Sequence, residues 1–188
     1  MKKDDIISSL EDKDIAIEKV DKIFEENRDD LQIVGLVAMN LSLRTSIYDR
    51  EKNKSSVMIE LLEKLCEVDD MGSRWAVAKN PHTPVEVLKK LAKDEVNLVR
   101  ALVATNPNTP SDLLTEFFSD EKIVRDGLSG NPSTPHRYLH ALADDKDKMV
   151  RLRVAENPST QKETLQKLSQ DDDADVSKAA KTKLKDRA

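Results

Sequence analysis

Apolar residues along the chain form short clusters at helical spacing, separated at regular intervals by one proline-containing motif. The motif is NPHTP at 80–84, NPNTP at 106–110, NPSTP at 131–135 and NPSTQ at 157–161. Its asparagines are 26, 25 and 26 residues apart, and all seven prolines of the chain lie inside it. A fixed period of this length predicts a solenoid of stacked repeats.

A full helix is predicted after each motif. Apolar residues recur there at helical spacing, for example at Leu88, Leu91 and Ala92. Threonine suits the N-cap position, and proline suits the first helical position, where its missing N–H costs nothing. The predicted N-caps are Thr83, Thr109, Thr134 and Thr160. Glu86 and Glu163, three residues downstream, would complete capping boxes.

A second and shorter helical segment is predicted before each motif. In the second copy its apolar stripe is Val99, Leu102 and Val103. The stretch from 99 to 105 makes under two turns, because a residue that precedes proline is disfavoured in helical geometry. We therefore predict repeats of a full helix, a short acidic connection, and a short helix that is partly 3₁₀.

The repeat has the pattern V-R-x-x-V-A-x-N-P-x-T-P-x-x-x-L-x-x-L-A-x-D over roughly residues 73–176. This pattern resembles the bacterial leucine-rich repeat variant family. The resemblance implies an all-α fold, a right-handed α-solenoid (an armadillo-like superhelix) of four to five repeats without β-strands. Members can carry an N-terminal iron–sulfur module held by clustered cysteines. Since this chain has only Cys66, no cofactor is expected.

The two ends of the chain lack the complete motif. Residues 1–70 are predicted to form a HEAT-like N-terminal helical cap, and 71–188 the repeat array. In the cap, DIAIEKVDKIFEEN and LQIVGLVAMNLSLRTSIY are predicted helices, and a charged loop lies between Tyr48 and Ser56. At the other end, Val176 begins a fifth short segment that reaches no motif and suits a C-terminal cap.

Composition narrows the class of function. Of the 188 residues 36% are charged and 3% aromatic; the net charge is −5 and the isoelectric point about 5.4. Domains that bind a phosphate backbone are usually basic, so this balance argues against nucleic acid. The N-terminus lacks the apolar segment of a signal peptide, and no run of about eighteen apolar residues predicts a membrane span. We expect a cytoplasmic monomer or weak homodimer.

One arginine recurs in every repeat, just after the start of the short segment. These residues are Arg74, Arg100, Arg125 and Arg151. Stacked layers about 8–10 Å apart would align them in a ladder. We interpret the ladder as structural, paired with aspartates four to six residues earlier, since arginine binds carboxylates in a bidentate manner. Those aspartates are Asp70, Asp94, Asp120 and Asp145. The alternative is a track for an acidic partner or a nucleic-acid backbone.

Other polar positions have a structural interpretation beside a functional one. The motif asparagines precede proline, where they can bond backbone groups of the turn, so we interpret them as structural. His136 and His140, at i and i+4, could form half of a metal site, but no further ligand completes it, and His82 belongs to another repeat. Cys66 aligns with the small positions Ala92 and Ala143 and is predicted to be buried and unreactive.

Positions at which the repeats differ are the better candidates for recognition. One such position follows the arginine, and another precedes the asparagine. The candidate partner-binding residues there are Trp75, Lys79, Ala101, Thr105, Asp126, Leu152 and Glu156; Gly130 shares the second position. Trp75 or Leu152 could anchor a partner. Alternatively, Trp75 fills the joint to the N-terminal cap.

These patterns predict a non-enzymatic scaffold that binds a protein or peptide along an extended face of the solenoid. Nucleic-acid binding through the arginine ladder is the alternative. Neither a paired nucleophile and base nor paired carboxylates are evident, so no catalytic residue, cofactor or metal is predicted.

Overall fold

The computed structural model describes residues 2–45 and 54–187, and within them helices are the only regular secondary structure. The helices of the first half are α1 (Lys3–Glu11), α2 (Ile17–Glu26), α3 (Leu31–Arg44), α4 (Ser56–Leu65), α5 (Met71–Lys79) and α6 (Val85–Leu91). The others are α7 (Asn97–Thr105), α8 (Ser111–Leu114) with the 3₁₀ helix Thr115–Ser119, α9 (Lys122–Gly130), α10 (His136–Leu142), α11 (Lys148–Glu156), α12 (Lys162–Leu168) and α13 (Ala174–Lys185).

The chain forms two compact units, residues 1–99 and 100–188, with the boundary inside α7. This division differs from the predicted boundary at 70/71, because α5 packs against α3 and so joins the first motif to the N-terminal helices. None of the helices in the described part of the chain has the length and apolar character needed to span a bilayer.

In both units, odd-numbered helices pack against neighbouring odd-numbered helices, as stacked repeats require. In the first unit, α3 packs against α1 and α5, and α2 against α4. In the second unit, α11 packs against α9 and α13. The predicted all-α fold of helical repeats is therefore confirmed. The hand of a superhelix stays a prediction.

Relative helix lengths differ from the expectation. The segments before the motifs are regular nine-residue α-helices (α5, α7, α9 and α11), whereas α6, α10 and α12, after the motifs, have seven residues. The 3₁₀ helix found in the described residues follows α8, after a motif instead of before one. Helix α7, for example, begins at Asn97, two residues before the predicted start at Val99.

The threonine and proline of the motif work differently from the prediction. Each helix begins after the proline, which itself occupies the N-cap position; Gln161 does so in the last copy. The threonine hydroxyl instead donates a 2.6 Å hydrogen bond to a carbonyl oxygen six residues earlier. The pairs are Thr83–Val77, Thr109–Val103, Thr134–Leu128 and Thr160–Val154. The predicted threonine N-caps and the capping boxes of Glu86 and Glu163 are therefore wrong.

The core contains at least one fully buried aliphatic residue from each odd-numbered helix that precedes a motif and at least one from each even-numbered helix that follows. These residues are Val77, Val103, Leu128 and Val154, with Leu88, Leu114, Leu139 and Leu165. Burial of such a side chain contributes about 2 kcal/mol. Because the threonine of the motif bonds back to the carbonyl of the first residue in each pair, the turn holds both helices over the same core.

Helix α9 approaches α7 closely at Gly127. A Cβ atom added there would lie 2.8 Å from the carbonyl oxygen of Ala101 and 3.1 Å from Cγ2 of Thr105. The first of these neighbours is backbone and cannot rotate away. Glycine at this position therefore permits the spacing of the two helices.

We expect Gly127→Ala to lower the free energy of unfolding by about 1–2 kcal/mol, although alanine is favoured over glycine in a helix by about 1 kcal/mol. Gly127→Val should cost more. Gly35→Ala is the matched control, because a Cβ there has no heavy atom within 4 Å. That control should be neutral or stabilising. Urea denaturation of the three variants checks the order; equal responses of Gly127→Ala and Gly35→Ala would contradict the close approach.

The two ends also differ in detail from expectation. Helix α3 ends at Arg44, and the continuation predicted to Tyr48, with most of the charged loop after it, lies outside the described residues. The C-terminal segment is a 12-residue helix, α13, and not a short one. After it, the Arg187 guanidinium donates to the carbonyl oxygens of Pro158 and Thr160. This contact covers motif carbonyls in the last complete repeat.

Candidate binding faces and the ladders behind them

All four motif asparagines are buried. Two of them, Asn131 and Asn157, link successive repeats and form an asparagine ladder. In all four, the side-chain oxygen accepts a hydrogen bond of 2.8–2.9 Å from the backbone N–H two residues downstream. The Asn131 amide donates to the carbonyl oxygens of Ala104 (2.8 Å) and Asn106 (3.1 Å). The Asn157 amide donates to those of Ser129 (2.7 Å) and Asn131 (2.9 Å). Each of these two asparagines thus shapes its own turn and holds the preceding repeat.

A fifth asparagine makes the same contact in the N-terminal region. The buried Asn40 amide donates to the carbonyl oxygens of Leu10 (2.7 Å) and Asp12 (3.0 Å), and its oxygen accepts from Nε of Arg44. The sequence IVGLVAMN at 33–40 aligns with VRALVATN at 99–106. Helix α3 therefore contains a degenerate repeat without proline, and the signal for it was present in the sequence.

The repeated arginines bind aspartates, but in a different repeat from the one predicted. Nε of each arginine lies 2.6–2.8 Å from an aspartate oxygen twenty residues downstream. The pairs are Arg74–Asp94, Arg100–Asp120, Arg125–Asp145 and Arg151–Asp171. The last three pairs are bidentate. The expected pairing with the aspartate four to six residues upstream is wrong; Asp70, for example, accepts from the backbone N–H of Ser73 at the start of α5.

In the second unit, two of the arginines also bond the backbone of the upstream aspartate. Nη1 of Arg125 donates to the carbonyl oxygen of Asp120 (2.7 Å), and Nη1 of Arg151 to that of Asp145 (2.8 Å). The arginine side chains are 14–18% exposed. Each of these two guanidinium groups therefore bridges two successive inter-helix loops and presents little surface to solvent.

Several aspartates of this ladder have lowered pKa values. The hydrogen bond from Arg100 lowers the pKa of Asp120 below 3.8, and that from Arg151 does the same for Asp171. At Asp145, burial raises the pKa, but hydrogen bonds from Arg125 and from the backbone of Asp147 lower it by more than burial raises it, so the net shift is downward. The ladder therefore favours ionised carboxylates in the folded state.

Stability should fall in acid because of these shifts. An aspartate with a lowered folded-state pKa stabilises the fold fully above its unfolded-state pKa of about 3.9 and loses that contribution as the pH drops through the folded value. We expect the urea midpoint to decrease from about pH 5 downward. Asp145→Asn should be less stable at neutral pH and show a shallower acid dependence. A midpoint that is constant between pH 5 and 3 would contradict the linkage.

Trp75 and Lys79 lie together on the outer side of α5. Trp75 is half-buried, Lys79 is exposed, and Nζ of Lys79 lies 5.0 Å from the centre of the indole ring. A cation over an aromatic face is attracted by the ring quadrupole. The pair fits both interpretations of Trp75, as an anchor for a partner and as a filler of the joint to α3.

Ala101 and Thr105 on α7 present less side-chain surface to a partner than their varying positions predict. Ala101 is buried, and its carbonyl lies against Gly127. Thr105 is exposed, and its hydroxyl donates to the carbonyl oxygen of Leu102. Of these two candidates, only Thr105 presents a side chain to solvent.

The remaining candidates lie on α9 and α11. Asp126 is half-buried, 3.8 Å from Nε of Arg153. Leu152 is half-buried and Glu156 exposed, and both line a groove of about 520 Å³ between α11 and α13. We call Asp126, Leu152, Glu156, Lys178 and Thr182 the unit 2 face.

Sequence reasoning missed an apolar strip on α3, because residues 1–70 lack the complete motif. The alignment through Asn40 places Gly35 and Met39 at the two variable positions, equivalent to Trp75 and Lys79. Met39 and Leu43 are 59% and 54% exposed. We call Glu11, Met39, Leu43, Trp75 and Lys79 the unit 1 face.

The histidines and the cysteine occupy structural or surface positions. Nδ1 of His140 lies 2.9 Å from Oγ1 of Thr164, His136 is exposed and His82 is buried. Within the described residues, no three His, Cys, Asp or Glu side chains are placed to hold a metal ion. Cys66 is buried, as predicted, and burial raises the pKa of its thiol to about 11. A thiol with this pKa is a poor nucleophile at neutral pH.

Comparison with known proteins supports the repeat assignment. The sequence model of the Leucine Rich Repeat Variant domain matches residues 72–115. The chain is similar to a solved structure described as a leucine-rich repeat variant with a novel repetitive structural motif (21% identity, 95% of this chain and 80% of the other, TM-score 0.47). It is also similar to an engineered protein (19% identity, 90% and 95%, TM-score 0.55). A search of curated protein sequences gives no match. The predicted resemblance is confirmed.

Proposed function

We propose that this chain, whose repeats are of the leucine-rich repeat variant type, is a non-enzymatic scaffold that binds a protein or peptide. One observation carries the proposal. The residues that repeat make contacts inside the array, as Asn131 and Arg125 do. Of the candidate residues that vary, all but the buried Ala101 present at least part of their side chain at the surface of the odd-numbered helices. A surface that varies over a constant scaffold is the usual basis of recognition in helical repeat proteins.

The unit 2 face has the character of a peptide-binding surface. Its groove contains the apolar Leu152 and Ala179 together with Glu156 and Lys178, which carry opposite charges. Apolar contacts provide binding energy there, and a few charged groups orient the bound chain. The groove lies between helices that are held in place by core contacts of Val154 and Ala180.

Binding of nucleic acid through the arginine ladder is the weaker alternative. Three of the four guanidinium groups hold bidentate contacts with aspartates, so a phosphate would have to displace a carboxylate. The surrounding charge does not favour this exchange: residues 100–188 carry fifteen basic and fifteen acidic side chains. A labelled RNA or DNA that is retained at low salt and released at high salt would support this alternative.

Photo-cross-linking from defined positions tests the proposal. A photoreactive amino acid is placed at 39 or 152 on the two faces, or at 60 or 166, which are exposed positions of α4 and α12. Irradiation in lysate from native cells should give a discrete protein adduct from at least one face position and none from the control positions. Equal adducts from all four positions, or a nucleic-acid adduct from 39 or 152, would contradict it.

A further inference from the structure

An apolar strip lies exposed along α3. Leu31, Met39 and Leu43 are 53%, 59% and 54% exposed and are spaced so that they share one side of the helix. Gly35 lies between them, and a Cβ added there would meet no heavy atom within 4 Å. Open space above the glycine allows another chain to approach the backbone of α3 closely.

Neighbouring helices extend this strip. Helix α5, which packs against α3, adds the half-buried Trp75 and the 47% exposed Met71. Exposed apolar surface of this kind, formed by large side chains on packed helices, is typical of a docking site. Methionine and tryptophan suit such a site, because methionine adapts its shape and tryptophan provides a large contact area.

Acidic groups border the strip on the side of α1. The bonds from Asn40 to the carbonyls of Leu10 and Asp12 place the end of α1 beside residue 40, so Glu11 is next to Met39 in the repeat register. Asp4 and Glu11 are exposed and form no ion pair within residues 2–45 and 54–187. Residues 1–99 contain 21 acidic and 16 basic side chains, and this unit therefore carries the whole net charge of −5.

We propose that the unit 1 face docks an amphipathic helix of a partner protein, with apolar residues against Met39, Leu43 and Trp75 and with lysine or arginine toward α1. The inference rests on the proposed function and specifies its partner. A helix of three to four turns spans about 16–22 Å, which is enough to cross α1, α3 and α5 at interaxial distances of about 8–10 Å. A second copy of this chain or an anionic membrane would bring negative charge to an acidic border.

Trp75 provides the reporter for the test, since it is the one tryptophan of the chain. The probes are synthetic peptides of about 18 residues without tryptophan, long enough for about five helical turns. The first has leucine on one helical side and lysine on the other; the second has glutamate in place of lysine; the third contains the residues of the first in scrambled order. We expect a saturable blue shift of Trp75 emission with the leucine–lysine peptide and affinity about tenfold lower for the other two.

Three variants assign the effect to the face. Met39→Glu should reduce the affinity for the leucine–lysine peptide about tenfold, since it places a charge in the apolar centre. Glu11→Lys should lower the affinity for that peptide and raise the affinity for the leucine–glutamate peptide. Met149→Glu, at an exposed methionine of the second unit, is the matched control and should change neither. All three side chains are exposed, so we expect each variant to retain its helices, which circular dichroism checks.

Several outcomes would overturn the inference. These are equal affinity for the leucine–lysine and leucine–glutamate peptides, an undiminished affinity of Met39→Glu, and binding to anionic vesicles in preference to the peptide. Self-association in sedimentation equilibrium that Met39→Glu abolishes would assign the face to a second copy instead. A protein cross-link from position 152 with none from position 39 would retain the scaffold function and reject the basic helix on the unit 1 face.

Discussion

Asn131→Ala is expected to lower the free energy of unfolding by about 3 kcal/mol, a large part of the 5–15 kcal/mol that stabilises a typical domain. Alanine removes a side chain that is 1% exposed and makes three hydrogen bonds. The carbonyl oxygens of Ala104 and Asn106 and the N–H of Ser133 would lose these partners in a buried place. Urea denaturation measures the loss.

Asn131→Asp provides a sharper test of the same contact. Aspartate keeps the acceptor for Ser133 but replaces the amide donor with a carboxylate oxygen that faces two carbonyl oxygens. It should therefore be at least as destabilising as alanine at neutral pH. Gln166→Ala, at an exposed position of α12, is the control and should change the stability by less than about 0.5 kcal/mol. If Asn131→Ala behaved like this control, the asparagine ladder would not hold the repeats together.

Arg125→Ala is expected to have the second large effect, a loss of about 3 kcal/mol. The Arg125 guanidinium is bidentate to Asp145 through Nε (2.6 Å) and Nη2 (3.2 Å), and Nη1 donates to the carbonyl oxygen of Asp120 (2.7 Å). The Asp145 side chain is only 7% exposed, so its charge would remain buried without the cation. Arg125→Lys should be intermediate, because an ammonium group cannot form the two parallel bonds.

The double variant Arg125→Leu, Asp145→Asn distinguishes a structural ladder from a binding one. Removal of both charges should recover much of the stability that Arg125→Ala loses, because no unpaired charge remains. Arg137→Ala is the control: Arg137 is exposed and lies over the ring of Tyr138. An Arg125→Ala protein with unchanged stability that loses its partner would show that the ladder is functional.

The repeat and its helices could be predicted from the sequence because their signals are local. The helical spacing of leucines and the proline that follows each of α5, α7, α9 and α11 lie within one repeat. Helix boundaries are harder to predict: the sequence places proline at the first helical position, but it occupies the N-cap. The threonine hydroxyl had two local partners available, the N–H groups ahead of it and the carbonyl behind it, and the bond to the carbonyl formed.

The candidate site was only partly predictable. Trp75, Lys79, Leu152 and Glu156 are at varying positions and do present side chains at the surface, whereas Ala101 at such a position is buried. Met39 and Leu43 were overlooked because a helix without proline hides its register. Alignment of IVGLVAMN with VRALVATN would have recovered that register, and the two carbonyl contacts of Asn40 show it directly.

The sequence alone determined the period, the helical class and the identity of the repeated polar residues, since each depends on neighbours within about 26 residues. Only the tertiary structure decided which groups those polar residues bind. Arg125 had an aspartate five residues before it and another twenty residues after it, and the stacking of α9 and its neighbours brings the later carboxylate to 2.6 Å. The partner is therefore selected by distance in space, which the order of residues does not specify. In the same way, the motif NPSTP at 131–135 joins two repeats through Asn131 and two helices through Thr134.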